Sequence, residues 1–192
     1  MPPKQRITRD MILEASFSMF CQEGMEVVNA RSVAKALNCS TQPIFSYFSG
    51  MDDLKTALEQ KAKELFEAAL KVEDQPGDPL VNICCAYARF AAEQPCLFTH
   101  LFMLNKDDPL YPFMSEEARR DLVYREAELL DIPKEYAVKV FVHMTVYSHG
   151  LAAVRAAHKA DFSPERMEAM ICSAHKTTVC AVKHFMEHPE EV

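Results

Sequence analysis

Apolar residues recur along this chain at steps of three and four, and no segment shows the one-by-one alternation of a half-buried strand. The pattern predicts nine helices: 8–23, a short one begun at Asn29, 41–48, 51–73, 80–93, one opened by Pro95, 115–131, 133–158 and 163–187. Breaks separate them where their chemistry requires it. Gly24 ends the first, Ser49 and Gly50 precede the fourth, and DQPGDP at 74–79 is the clearest interruption. NKDDPLYP at 105–112 reads as a loop, and Pro133 and Ser163-Pro164 open the last two helices. The chain is therefore all-α.

The stretch NARSVAKALNCSTQPIFSYFSGMDDL at 29–54 organises the first part of the chain. Asn29 can cap a helix through its side-chain oxygen, and Val33, Ala34 and Leu37 then share one face. Asn38 enters the left-handed conformation at low cost, which allows a sharp turn. Ser40 is placed to cap a second helix, with Pro43 in its first turn where a missing N–H matters little. Its inward face would be Ile44, Phe45 and Phe48. Outward lie Thr41, Gln42, Ser46 and Tyr47, short or amphipathic hydrogen-bonding side chains suited to a DNA groove and its phosphates. Two helices joined in this way form a helix-turn-helix.

The longer string is more specific. Ile12, Ala15, Phe20 and Gly24 are followed in order by Val33-Ala34, Ser40, Ile44-Phe45, Tyr47-Phe48, Asp52 and Leu54. Over about residues 8–58 this resembles the DNA-binding domain of the TetR family of bacterial repressors. The resemblance implies a three-helix DNA-binding head on a divergent helical body that binds a small molecule and dimerises. It puts Arg31 at a position that often reaches into the groove. Lys35 and Lys55 read as phosphate contacts or as solvated side chains, and Ser40 stands beside the same surface. Two positions depart from the family pattern: Phe45 stands where tyrosine is common, and Met51 where lysine is common. The division expected is 1–50 as head and 51–192 as ligand-binding and dimerisation body, with the fourth helix as the link.

Charge supports that division. Of the 192 residues, the first fifty carry five basic and four acidic side chains; the remainder carries sixteen and twenty-four, and the whole chain −7. A mildly positive end on an acidic body can face nucleic acid with that end only. Eleven methionines and twelve phenylalanines point to adaptable aromatic packing rather than a sheet sandwich. Seven cysteines, an odd number without a CxxC pair, read as a reduced cytoplasmic protein. The longest apolar run, around 138–154, is interrupted by Lys139, His143 and His149, so no membrane span is expected. Of the seven histidines only His184 and His188 have i, i+4 spacing, so no metal or other cofactor is expected. Neither a Ser-His-Asp order nor a phosphate-cradling glycine loop is present, and an enzyme is not expected.

The body supplies more large apolar groups than a slim bundle needs. Phe66, Tyr87, Phe98, Phe102, Met103, Tyr124, Met144 and Tyr147 are the candidate pocket lining, with His143, Tyr87 and Tyr147 as polar anchors. Small residues on the last two helices, Ala152, Ala153, Ala156, Ala174, Thr178 and Ala181, with Ile171 and Phe185, are the candidate homodimer interface. The function expected is a ligand-responsive repressor that binds a palindromic operator as a homodimer and is released by a small hydrophobic or aromatic inducer. The alternatives are a thiol-based redox-sensing regulator, with Cys39 in the turn of the motif, and a helical binding protein that does not touch DNA.

Overall fold

A computed structural model describes residues 6–72, 75–104, 115–157 and 161–191. Among these the chain forms nine α-helices and no strand: α1 Arg9–Glu23, α2 Ala30–Ala36, α3 Gln42–Tyr47, α4 Met51–Ala69, α5 Pro79–Glu93, α6 Pro95–Phe98, α7 Glu116–Leu130, α8 Lys134–Ala156 and α9 Pro164–Glu187. A π-helical stretch, Thr99–Leu104, continues from α6. The all-α class expected from periodicity is the observed one. The basic arm falls outside the described residues except for Arg6 and Ile7, and the 105–112 loop falls outside them entirely.

Helix ends follow local chemistry. The Thr8 hydroxyl accepts from Met11 N at 3.2 Å to start α1. Gly24 ends it at φ 92°, a conformation that side chains resist. A Cβ added there would also meet Glu26 Oε2 at 2.9 Å. Asp78 starts α5 by accepting from Leu80 N at 2.9 Å and Val81 N at 3.1 Å, with Pro79 in the first turn. Ser115 and Ser163 cap α7 and α9 in the same manner.

The contacts divide the chain into two compact units. The first contains residues 1–65 and 96–105, the second 66–95 and 106–192. The boundary drawn from the sequence at residue 50 marks the start of α4, whereas by contacts the first unit continues to Leu65. In that unit Ile12, Phe20, Val33, Ile44, Phe48, Leu54 and Leu58 are at most 1 % exposed and form one core. Chain beyond α5 returns to it. The His100 ring packs edge-on against Phe20 at 5.0 Å, and its Nε2 lies 3.0 Å from Glu59 Oε1.

The second unit is built on α5, which packs against α7, α8 and α9. Cys84 and Ala88 of α5, Leu122 of α7, Val140 and Met144 of α8, and Met167 and Ile171 of α9 belong to its core.

One stripe differs from the sequence expectation. Leu65 and Ala69 of α4 share a face with Leu54 and Leu58 on a helical wheel, yet Leu65 is 39 % exposed and Ala69 is exposed too. The buried row is Leu54, Leu58, Ala62 and Phe66, each four residues on. Such a row slants around the helix, because four residues overshoot one turn. Leu65 is the last residue of the first unit, and Phe66, the next buried residue, belongs to the second. Neighbours decide the buried direction, and they change along the helix.

Candidate functional site

α2 opens with a reciprocal cap. The Asn29 side chain accepts from Arg31 N and Ser32 N, both at 3.1 Å, while Ser32 Oγ accepts from Asn29 N at 3.1 Å. α2 ends as Asn38 takes φ 49°, the left-handed turn expected of an asparagine there. Cys39 N closes that turn by donating to Ala34 O at 2.9 Å. α3 follows at once, with Pro43 in its first turn. Its cap position is Thr41, which makes no side-chain cap bond, so Ser40 does not cap α3 as its sequence position suggested.

Ile44 and Phe48 pin α3 into the core, at 0 % and 1 % exposure. Phe45 does not join them. It is 52 % exposed, because α3 is short and has packing partners on one side only. The outward side thus carries Phe45 along with Gln42, Ser46 and Tyr47, all exposed, while Thr41 is half-buried. The Tyr47 hydroxyl donates to Ile7 O at 3.3 Å and ties the segment before α1 to α3. Between them lies an open concavity of about 740 Å³, lined by Arg6, Asn38, Ser40, Gln42, Ser46 and Tyr47 among others. Arg31 and Lys35 are exposed on α2 and Lys55 is half-buried on α4; none of the three lines it. What results is a convex short helix with polar tips, beside a groove with one arginine.

No family model matches the chain. It is 26 % identical over 98 residues to an uncharacterised HTH-type transcriptional regulator, YobS, of Bacillus subtilis (strain 168), a match covering 50 % of this chain and 51 % of that one. The chain thus spans about half the length of the curated relative it matches. Among solved structures it is similar to a TetR-like transcriptional regulator from Rhodococcus sp. RHA1, with a TM-score of 0.62, 17 % identity, and 91 % of this chain and 99 % of that one covered. A TetR-family transcriptional regulator from Haemophilus influenzae RD gives a TM-score of 0.55 at 18 % identity, over 87 % and 93 % of the two chains. The flavonoid-responsive regulator FrrA gives 0.50 at 18 % identity, over 90 % and 95 %. The chain has the TetR-family fold.

Within the TetR-like body the expected pocket lining is divided. Phe98, Phe102 and Met103 belong to the first unit, where Phe98 is buried, Phe102 half-buried and Met103 exposed. Phe66, Tyr87, Tyr124, His143, Met144 and Tyr147 belong to the second. There the Phe66 ring packs edge-on against Tyr87 at 5.9 Å and Phe90 at 5.0 Å. His143, Tyr147 and Tyr124 are exposed instead of lining an interior. The buried arc of α8 runs from Val140 through Met144 and Ser148 to Ala156, and His143 and Tyr147 sit just past its edge. The polar group that α8 does bring to Tyr87 is His149, whose Nδ1 lies 2.8 Å from the Tyr87 hydroxyl. Burial pushes the Tyr87 pKa up and the His149 pKa down, so both are held neutral.

The expected dimer stripe also needs correction. Ala152, Ala156 and Ile171 are buried inside the second unit, at 0 %, 5 % and 0 % exposure, and cannot face another protomer. Ala153, Ala174, Thr178 and Phe185 are half-buried and Ala181 is exposed. The TetR-like α8 instead presents Val138, Val142, Val146 and Val154 to solvent, along a four-residue row that includes Gly150. These β-branched residues are 37–53 % exposed.

A third constellation went unseen in the sequence. His175 of α9 places Nε2 2.7 Å from Glu126 Oε1 of α7 and 3.3 Å from Asp78 Oδ2, before α5. Burial pushes the Glu126 pKa up, partly opposed by the His175 hydrogen bond; that same bond, aided by Asp78, holds His175 above its usual range. The available signal was an acid inside an apolar face: Leu122, Glu126, Ala127 and Leu130 all share one side of α7.

Proposed function

We propose that this protein is a TetR-type transcriptional regulator, a repressor that reads a palindromic operator as a homodimer and is released by a small hydrophobic or aromatic inducer. The observation that carries the reading is the head: a capped helix-turn-helix whose short second helix exposes Gln42, Ser46 and Tyr47 on a TetR-like fold. Such side chains reach base edges and phosphates, and Arg31 and Lys35 add exposed positive charge on α2. In this reading Ser40, Thr41 and Lys55 contact the backbone, and the exposed Phe45 meets a thymine methyl or sugar.

Selection from a random duplex pool tests it. The purified full chain should enrich a two-fold symmetric site whose binding weakens steeply with salt. Gln42→Ala and Arg31→Ala should each weaken the enriched site by about 1–3 kcal/mol, with helical content unchanged. No enriched site would end the DNA reading. Two variants that bind as wild type would move the docking face.

A homodimer supplies two heads, and the valine row of α8 is the surface proposed for it. Val146→Glu sets a charge into the middle of that row and should yield a monomer by light scattering, with the helical spectrum retained. A dimer that persists at the same concentration would place the interface elsewhere.

The inducer class follows from the Phe66, Tyr87 and Phe90 rings around the Tyr87–His149 pair, a polar anchor in apolar surroundings. The acidic body favours a neutral or cationic compound. An inducer must bind the DNA-incompetent state more tightly. A panel of aromatic compounds should therefore contain members that both raise the melting temperature and release the selected duplex. The thiol-switch reading has less behind it. Burial pushes the Cys84 and Cys85 thiols up to about 12, which leaves little thiolate near neutral pH.

A further inference from the structure

The Asp78–Glu126–His175 group has more acid than its own bonding accounts for. One imidazole serves two carboxylates, in a place where Glu126 is 1 % exposed and His175 8 %. Glu126 Oε1 is taken by His175, but its other oxygen, Oε2, is buried with no hydrogen-bond partner among the described residues. Asp78 uses Oδ1 on the amides of Leu80 and Val81 and turns Oδ2 towards His175. A buried carboxylate oxygen without a donor is rare, because its lost hydration is not replaced.

The three donors come from three separate places: the turn before α5, the middle of α7 and the middle of α9. One atom from each lies within 4.8 Å of the other two, with the imidazole nitrogen 2.7 and 3.3 Å from its carboxylate neighbours. Donors held at about 2.0–2.2 Å by one ion stand roughly 3–3.5 Å apart; the 3.3 Å between His175 and Asp78 is already such a spacing, and the 2.7 Å to Glu126 is the hydrogen bond that an ion would replace and widen. The Asp78 carboxylate is fixed by the α5 amides and the other two groups by packed helices, so the set is ordered before any ion arrives.

We propose that Asp78, Glu126 and His175 form a binding site for a divalent first-row transition metal ion, with Glu126 Oε2 or water completing its coordination. Two carboxylate oxygens and one imidazole nitrogen suit Zn²⁺, Mn²⁺ or Fe²⁺; a set of oxygens alone would suit Mg²⁺ or Ca²⁺, and no thiolate takes part. The ion replaces the proton on His175 Nε2, which leaves to solvent, and neutralises both carboxylates at once. It fastens the start of α5 to α7 and α9. The site is independent of the DNA reading.

The test uses the full chain freed of metal by chelator dialysis and titrated with Zn²⁺ alone by calorimetry. One equivalent per chain should bind and raise the melting temperature. Glu126→Gln keeps the acceptor for His175, and Asp78→Asn keeps the acceptor for the α5 amides. Each should weaken Zn²⁺ binding tenfold or more while the helical spectrum, recorded in chelator, stays that of wild type. Asp78→Asn stands alone if Glu126→Gln does not fold. Co²⁺ substitution should give visible d–d bands without a near-ultraviolet thiolate charge-transfer band. A variant with both His184→Ala and His188→Ala should bind as wild type. The proposal is overturned by the absence of one-equivalent binding, by a thiolate band, by wild-type affinity in a folded Asp78 or Glu126 variant, or by loss of binding in the His184/His188 variant.

Discussion

Leu58→Ala is expected to destabilise the first unit by about 2–5 kcal/mol, and Leu65→Ala by less than about 0.5 kcal/mol. Leu58 is 0 % exposed in the row that includes Leu54 and Ala62, so truncation there removes buried surface and leaves a cavity. Leu65 is 39 % exposed, and the alanine that replaces it would be the better helix former. Both changes are Leu to Ala on one helix, seven residues apart, and a wheel gives them one face. Urea unfolding of the two variants beside wild type therefore asks which face α4 buries. Equal losses would return the buried row to the one periodicity suggests.

Removing one member of the buried polar group should cost more than removing two. His175→Leu strips Glu126 Oε1 of its partner and leaves a 1 % exposed carboxyl group with neither oxygen satisfied. Losses of about 3–5 kcal/mol accompany such half-removal of a buried pair. The double variant Glu126→Leu with His175→Leu leaves no uncompensated group at either position; Asp78 Oδ2 loses His175, but that side chain is 17 % exposed and keeps Oδ1 on the α5 amides. Most of the lost stability should return, since apolar replacements of buried pairs are often neutral or stabilising. Unfolding midpoints measured in chelator give the coupling between the two positions as the departure from additivity. A double variant less stable than His175→Leu would mean that the group fixes the helices in a way leucines do not.

The sequence by itself determined the helices and several of their ends, though not the cap of α3, which is Thr41 and not Ser40, nor the end of α4, which stops at Ala69 and not at residue 73. Asn29, Asn38, Gly24 and Ser163 act through bonds and dihedral angles within a few residues of themselves, so their effect is legible from local order. It determined the face of α3 carrying Gln42, Ser46 and Tyr47, because Ile44 and Phe48 occupy the other. Where the predicted faces failed, a neighbour had intervened. Phe45 looks like a core residue until the shortness of α3 leaves it nothing to pack on, and α4 turns its buried row where its neighbours change. Ala152 and Ala156 read as an open stripe, but α5 and α9 cover α8 on one side and leave its valines bare on the other. Asp78, Glu126 and His175 lie 48 and 49 residues apart in a chain with no spacing motif to join them. Only the packing of α5, α7 and α9 brings them within reach, since contact between distant residues is a property of the assembled helices and not of any one.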